Sequence, residues 1–298
     1  MRNLQFGRVL TAMVTPFKPD GSVDFDLAIE LAEYLVGNGS DGLVLAGSTG
    51  EGSSLSDDEK LELFACVAGS VEAPVLAGST SSDTARSVAL TERVAATGAS
   101  GVLATTPAYA RPNQQGIGAH FAAIAESTEL PVMLYDIPSR TGRKIAASTT
   151  LALLEAHENI IALKDASGDL VSAAHLKAVA GDRLEIYSGD DSLLLPFLAI
   201  GAAGIVSVAS HWAGPEFAEM VRSVEAGDWV EARRLNELIA PSCSFEGSEA
   251  YPNPMPTKAV MRAIGFAVGQ CRLPHGTSDA ALEHGASEIV AALKATRG

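Results

Sequence analysis

The chain has 298 residues, with 47% hydrophobic and 19% charged side chains, proportions that exclude a disordered polymer and suit either two ordinary domains or one large α/β barrel. Its formal charge of −15 argues against the basic surfaces that nucleic acids and anionic membranes require, so any anionic ligand has to be held by local groups. Three scattered cysteines, Cys66, Cys243 and Cys271, make neither a disulfide framework nor a CxxC metal site and are expected to be buried packing residues in a reducing compartment.

The start, MRNLQFGRVL, lacks a long apolar core followed by a small-residue cleavage site, and no stretch reaches the roughly 18 apolar residues of a membrane span, so a cytoplasmic protein is expected. From Leu10 onward, short apolar runs alternate with amphipathic segments. The runs are LTAMVTPF, DGLVLAGS, PVLAGST, GVLATTP, PVMLYDI, IIALKDAS, LEIYSGD and GIVSVAS, eight in all. Continuous apolarity of this kind is what parallel strands covered on both faces need. Between them, Phe25, Ala28, Ile29, Ala32, Leu35 and Val36 form a helical stripe, Ser56 to Glu59 reads as a capping box, and Asp83 and Pro215 read as helix starts.

Eight βα units predict an α/β fold, a (β/α)8 TIM barrel, with catalytic groups at the C-terminal strand ends. The alternative is an open doubly wound sheet, but no GxGxxG follows the first run and a dinucleotide site is not expected. The barrel is expected to occupy residues 1–227 as the catalytic domain. Residues 228–298 carry helical patterns at 230–239, 257–268 and 280–293 without a strand run, which predicts a C-terminal helical appendage.

Polar residues gather where such a barrel places its chemistry: Thr15, Ser48 to Glu51, including Thr49, Tyr109, Tyr135, Arg140, Lys164 and Gly189 to Asp191. No HxH, HExxH or cysteine pair is among them, so no metal site is expected, and the six histidines show no functional spacing. Strand alternation puts Ile160, Ala162 and Lys164 on one face and Ile161, Leu163 and Asp165 on the other. Burial disfavours a lysine's charged form and leaves free amine to attack a carbonyl; the bland alternative is an ion pair with Asp165 or a side chain reaching to solvent. Gly47 to Gly50 offers hydroxyls and backbone N–H groups to a carboxylate or a phosphate, or is an ordinary turn. Tyr135 is a proton relay or a satisfied core phenol, Tyr109 in TPAYARP a contact aromatic, and Arg140 in PSRTG a carboxylate fork or a solvated loop residue.

TAMVTPF, GSTGE, TPAY, YDIPSRTG, IIALKDASGD, YSGDD, GIVSV and NPMPTK, in this order and at this spacing, resemble the pyruvate-dependent class I aldolases, the family of the dihydrodipicolinate synthases and N-acetylneuraminate lyases. The resemblance implies that Lys164 forms a Schiff base with pyruvate and that no other cofactor is used. It implies that Ser48 and Thr49 hold the pyruvate carboxylate, with Gly189 and Val206 also binding substrate. It makes Tyr135, Ser48 and Tyr109 a proton relay, with Tyr109 entering from a neighbouring subunit of a homo-oligomer, a dimer of dimers.

Arg140 is similar to the arginine with which the synthase branch holds aspartate semialdehyde, implying condensation of pyruvate with L-aspartate 4-semialdehyde to 4-hydroxy-tetrahydrodipicolinate, in lysine and diaminopimelate biosynthesis. The alternatives are a 2-keto-3-deoxy sugar-acid or hydroxy-oxoglutarate aldolase of the same family, and a non-catalytic barrel that senses a ligand. Departures from the common pattern are GSTGEG in place of GTTGES and Ala108 in place of a tyrosine. Asp57 and Lys60 stand where feedback-regulated members have histidines, and Arg86 where they have a glutamate for the effector's ammonium. Insensitivity to L-lysine is therefore expected, because a cation facing a cation repels.

Overall fold

The computed structural model describes residues 4–297; the first three residues of the expected catalytic domain and the last of the appendage lie outside it. All eight apolar runs contain strands: β1 Val9–Ala12, β2 Gly42–Leu45, β3 Val75–Gly78, β4 Gly101–Thr105, β5 Val132–Asp136, β6 Ile160–Asp165, β7 Glu185–Ser188 and β8 Gly204–Ser207. They pair in sequence order, all parallel, and β1 closes on β8. The expected TIM barrel is the observed fold.

Strand alternation divides the core into two layers. Leu10, Val44, Leu76, Leu103, Met133, Ala162, Tyr187 and Val206 fill the barrel interior. Leu43, Leu45, Val75, Val102, Val132, Leu134, Leu163 and Ile186 face the surrounding helices. Strict alternation fails at one place. Val132 pairs with Ile160 but Met133 with Ala162, so the register shifts at Ile161. The extra residue turns Ile160 outward into the helix-facing layer and leaves Ile161 against the interior one. Ile160 is thus not on the Lys164 face, as simple alternation expects, whereas Ala162 is.

Helix signals are equally local. Ser56 and Glu59 form the capping box of the helix Asp57–Ala68, and the Asp83 side chain caps Thr84–Val94. Pro215 does not start its helix: Ser210–Glu225 begins five residues earlier and bends at Ala213, so the proline falls in the first turn of the second segment, where its missing N–H has no partner to lose. After Gly227, with φ +81, come Trp229–Phe245, Met255–Ala263 and Ala280–Arg297, which join Val9, Ile205 and Phe217 in one apolar cluster. Among the described residues no helix is long and apolar enough to cross a membrane.

Candidate active site

Lys164 stands one residue before the C-terminal end of β6 and is 5% exposed. Its backbone pairs with Tyr135 of β5, and its Nζ lies 4.4 Å from the centroid of the Tyr135 ring. Asp165 does not neutralise it. That carboxylate points to the other face and accepts the Ser167 N–H at 2.8 Å, and among the described residues Lys164 makes no ion pair. A buried amine beside an aromatic face, without a carboxylate clamped to it, is free to attack a carbonyl.

Gly189, in the loop after β7, closes the other side. A Cβ there would lie 2.8 Å from Ala166 Cβ and 3.1 Å from Lys164 Cε, so glycine is what lets the loop lie against the lysine stem. The next residues anchor β7 to β8: the Asp191 carboxyl accepts from Ser207 Oγ at 2.7 Å and from the Ala209 N–H at 2.6 Å. Burial pushes Asp191 above the usual carboxylate range, and burial with the Asp191 charge does the same to Glu246, with which it shares a hydrogen bond. Behind Lys164, Asp136 and Asp165 are register partners, and burial pushes Asp136 up to about 7, with Asp165 adding to it.

The Gly47 to Gly50 loop is held from below and from the C-terminal segment. Thr15 Oγ1 donates to the Gly50 carbonyl at 2.6 Å, and Thr49, 3% exposed, accepts from Asn253 Nδ2 at 2.9 Å. The Asn253 carbonyl in turn accepts from Arg140 at 3.3 Å, so one asparagine ties the hydroxyl loop to the guanidinium. Glu51, held at φ +54, is fixed by Lys258 Nζ at 2.6 Å and by the Arg272 N–H at 2.8 Å. Burial pulls the Lys258 ammonium down and Glu51 opposes it. In the GSTGEG loop, a Cβ at Gly52 would lie 1.9 Å from the Ala46 carbonyl, so the serine of the common pattern does not fit this backbone.

A cavity of about 390 Å3 opens beside these loops. Ser48, Thr106, Ile137 and Arg140 line it toward β4 and β5; Lys60 and Arg86 line it toward the helices Asp57–Ala68 and Thr84–Val94. Its wall does not include Lys164 or Tyr135.

The structure therefore groups Lys164, Tyr135 and Gly189, links Thr49 to Arg140, and puts Ser48 and Arg140 on one wall. Val206 is fully buried in the interior layer. Tyr109 stands apart, 97% exposed at φ +66, with no hydrogen bond or ring contact among the described residues to offset the strained backbone. Asn253, Lys258 and Glu246 carry parts that the sequence reading missed; the NPMPTK motif held the first two without indicating what they touch, and Glu51, placed beside Ser48 and Thr49 from the sequence, has its partners Lys258 and Arg272 far along the chain. His211 and His120 are buried, and burial pulls both down to about 4. The Val14 N–H donates to His211 Nε2, which leaves Nδ1–H to donate to the Val208 carbonyl: a neutral structural ring. The three cysteines are half-buried rather than buried, with burial pushing the Cys66 thiol up to about 11 and Cys271 to about 12.

Known proteins match this chain along its length. The model of the dihydrodipicolinate synthetase family covers residues 5–295. The 4-hydroxy-tetrahydrodipicolinate synthase of Desulforamulus reducens is 46% identical over 276 residues, 92% of this chain and 93% of its own. That of a Synechococcus species is 45% identical over 294 residues, 98% and 96%. Among solved structures, DHDPS from Cyanidioschyzon merolae, with lysine bound, superposes with a TM-score of 0.95 at 41% identity, covering 98% of this chain and 99% of that one. Dihydrodipicolinate synthase DapA-2 from Bacillus anthracis gives 0.92 at 39% identity, with 96% and 98% covered.

Proposed function

The chain belongs to the dihydrodipicolinate synthetase family, and from that premise we propose that it is a lyase of the class I aldolase type acting as a 4-hydroxy-tetrahydrodipicolinate synthase in lysine and diaminopimelate biosynthesis. Its substrates are pyruvate and L-aspartate 4-semialdehyde. The observation that carries the mechanism is the buried Lys164 amine, without an ion pair among the described residues, 4.4 Å from the centroid of the Tyr135 ring.

Lys164 Nζ adds to the pyruvate ketone and expels its oxygen as water, forming an imine. Loss of a methyl proton gives the enamine, and the Tyr135 phenol, with Ser48 and Tyr109, moves that proton. The enamine carbon then attacks the aldehyde, whose oxygen takes up a proton to become the hydroxyl. Finally the substrate's own amine adds to the imine carbon, displaces Lys164 and closes the ring. One water is released overall, and the lysine is regenerated without any other cofactor. Ser48 and Thr49 hold the pyruvate carboxylate with Gly189 and Val206 around it, while Arg140 takes the carboxylate of the semialdehyde.

Tyr109 reaches the relay from a neighbouring subunit. Its near-complete exposure in the single chain supports this, as an aromatic held out at positive φ needs a partner. The enzyme then works as a homo-oligomer, a dimer of dimers, in the cytoplasm. The test is a paired assay of the purified protein: condensation of pyruvate with aspartate semialdehyde against cleavage of 2-keto-3-deoxy sugar acids and of 4-hydroxy-2-oxoglutarate. Turnover in the first is expected; turnover only in the second moves the chain to a sibling activity.

A further inference from the structure

Tyr135 and Lys164 are register partners, each is followed by an aspartate, and those two are register partners as well. Alternation turns the first pair into the barrel and the second to its outer face, side by side on strands about 4.8 Å apart. Both acids, Asp136 and Asp165, are buried. Three active-site loops are tied to this one level. The Asp136 carboxyl accepts the Ile145 N–H at 3.1 Å, closing the segment 137–145 that carries Arg140, and the Asp165 carboxyl holds Ser167 in the loop after β6. The Asp136 carbonyl accepts the Ala166 N–H at 2.9 Å, and the Asp165 carbonyl accepts the Gly189 N–H at 2.7 Å from the loop after β7.

The charged groups facing Asp136 are Asp165 from β6 and Lys144 from the segment it closes, and Lys144 is drawn to Asp169, the cap of the helix Leu170–Ala180, at 2.6 Å. Two buried carboxylates side by side are costly unless one keeps its proton, which agrees with the raised Asp136. The strands decide which of the two gives way. Asp165 is held between Asp136 and Ser188, whereas the pairing of β5 with β4 ends at Tyr135, so Asp136 has a strand partner on one side only.

We propose that Asp136 is a positioning residue for the second substrate: its carboxyl, set beside Asp165, closes the segment 137–145 and thereby fixes where the Arg140 guanidinium stands. This rests on Arg140 as the holder of the semialdehyde carboxylate. With one proton on the pair, the clamp to Ile145 is kept. When that proton leaves, the two anions repel, Asp136 shifts on its open side, and the segment loosens with Arg140 on it. Lys164 points to the opposite face of β6 and keeps its place, so the effect falls on the semialdehyde and not on pyruvate.

Hydrogen exchange of the intact enzyme tests the clamp without any substrate. Protection of the peptide spanning residues 137–145, taken relative to an unstructured chain at the same pH, is expected to fall roughly fivefold or more between about pH 6 and about pH 8. Asp136→Asn keeps an acceptor without a charge, and Asp165→Asn removes the repelling charge; both are expected to lose this fall. Equal protection of the wild type at both pH values, or the same fall in Asp136→Asn, overturns the proposal.

Initial rates supply the second readout. At about pH 6, Asp136→Ala leaves the Ile145 N–H without its acceptor and is expected to raise the KM for aspartate semialdehyde roughly tenfold, with kcat and the KM for pyruvate within about twofold. Asp136→Asn is expected to restore the wild-type value. An equal rise in both KM values, or a fall in kcat alone, overturns the role. Asp136→Asn keeps the exchange test readable if Asp136→Ala folds poorly. Wild-type enzyme that turns over only another aldehyde overturns the substrate reading, and the exchange result still decides the clamp.

Discussion

Glu51 and Lys258 form an ion pair of 2.6 Å with side chains that are 0% and 1% exposed, joining the loop after β2 to the helix Met255–Ala263. The same loop carries Ser48 and Thr49, so the pair sets where those hydroxyls stand. Removing one member leaves a buried, uncompensated charge. Glu51→Gln or Lys258→Met alone is predicted to lower unfolding stability by about 3–5 kcal/mol. The double variant is predicted to cost less than the sum of the two. Urea unfolding of the three variants checks this, and strictly additive losses would show that the two groups do not interact.

Gly189 is predicted to be intolerant for a local reason. A methyl there lies 3.1 Å from Lys164 Cε, so Gly189→Ala displaces the lysine stem without touching the charge. Activity with pyruvate is expected to drop roughly 10- to 100-fold, the usual cost of moving a reacting group by an ångström or so. Wild-type kinetics in this variant would show that the loop yields instead.

Two acids give opposite pH signatures. Asp136 is raised by burial from 3.8 to about 7, so its contribution to stability is complete below about pH 4 and lost as pH rises through 7. Asp136→Asn keeps an acceptor for the Ile145 N–H and is predicted to gain on the wild type by roughly 2–4 kcal/mol between those limits. Glu59 is lowered by Arg272 from 4.5 to about 2, so its contribution is present above pH 4.5 and lost as pH falls toward 2. It is only partly buried, at 28% side-chain exposure, so the effect is modest and weakened by salt. Melting temperatures of Asp136→Asn and Glu59→Gln across about pH 2.5–8 should converge with the wild type at the acid end and diverge from it with opposite sign as pH rises, Asp136→Asn above and Glu59→Gln below; parallel curves would contradict both assignments.

L-lysine is predicted not to inhibit. Lys60 and Arg86 present two cations where an effector ammonium would have to approach, and Arg86 is itself paired to Asp57 at 3.0 Å. Initial rates with L-lysine present check this; strong inhibition at sub-millimolar concentration would sink it.

What was legible in the sequence follows from the range of each interaction. The eight strands, the Ser56 capping box and the position of Lys164 depend on neighbours within a few residues, so apolar runs and turn chemistry reveal them. The bulge at Ile161 was hidden because a two-residue period carries no sign of an inserted residue. Pro215 misled because a proline tolerated early in a helix looks the same at a true start and after a bend. Asn253, which reaches back to Thr49 and Arg140, and Lys258, which reaches Glu51, are contacts made only when the chain's end folds over the barrel mouth. No local pattern encodes them.

The central claim is that Lys164 is the carbonyl-attacking amine, and borohydride trapping tests it most directly. Enzyme incubated with pyruvate and borohydride, digested and analysed by mass spectrometry, should carry the reduced pyruvyl adduct on Lys164, and Lys164→Ala should acquire none. An adduct on another lysine with Lys164 unmodified, or no adduct on any lysine, would contradict it.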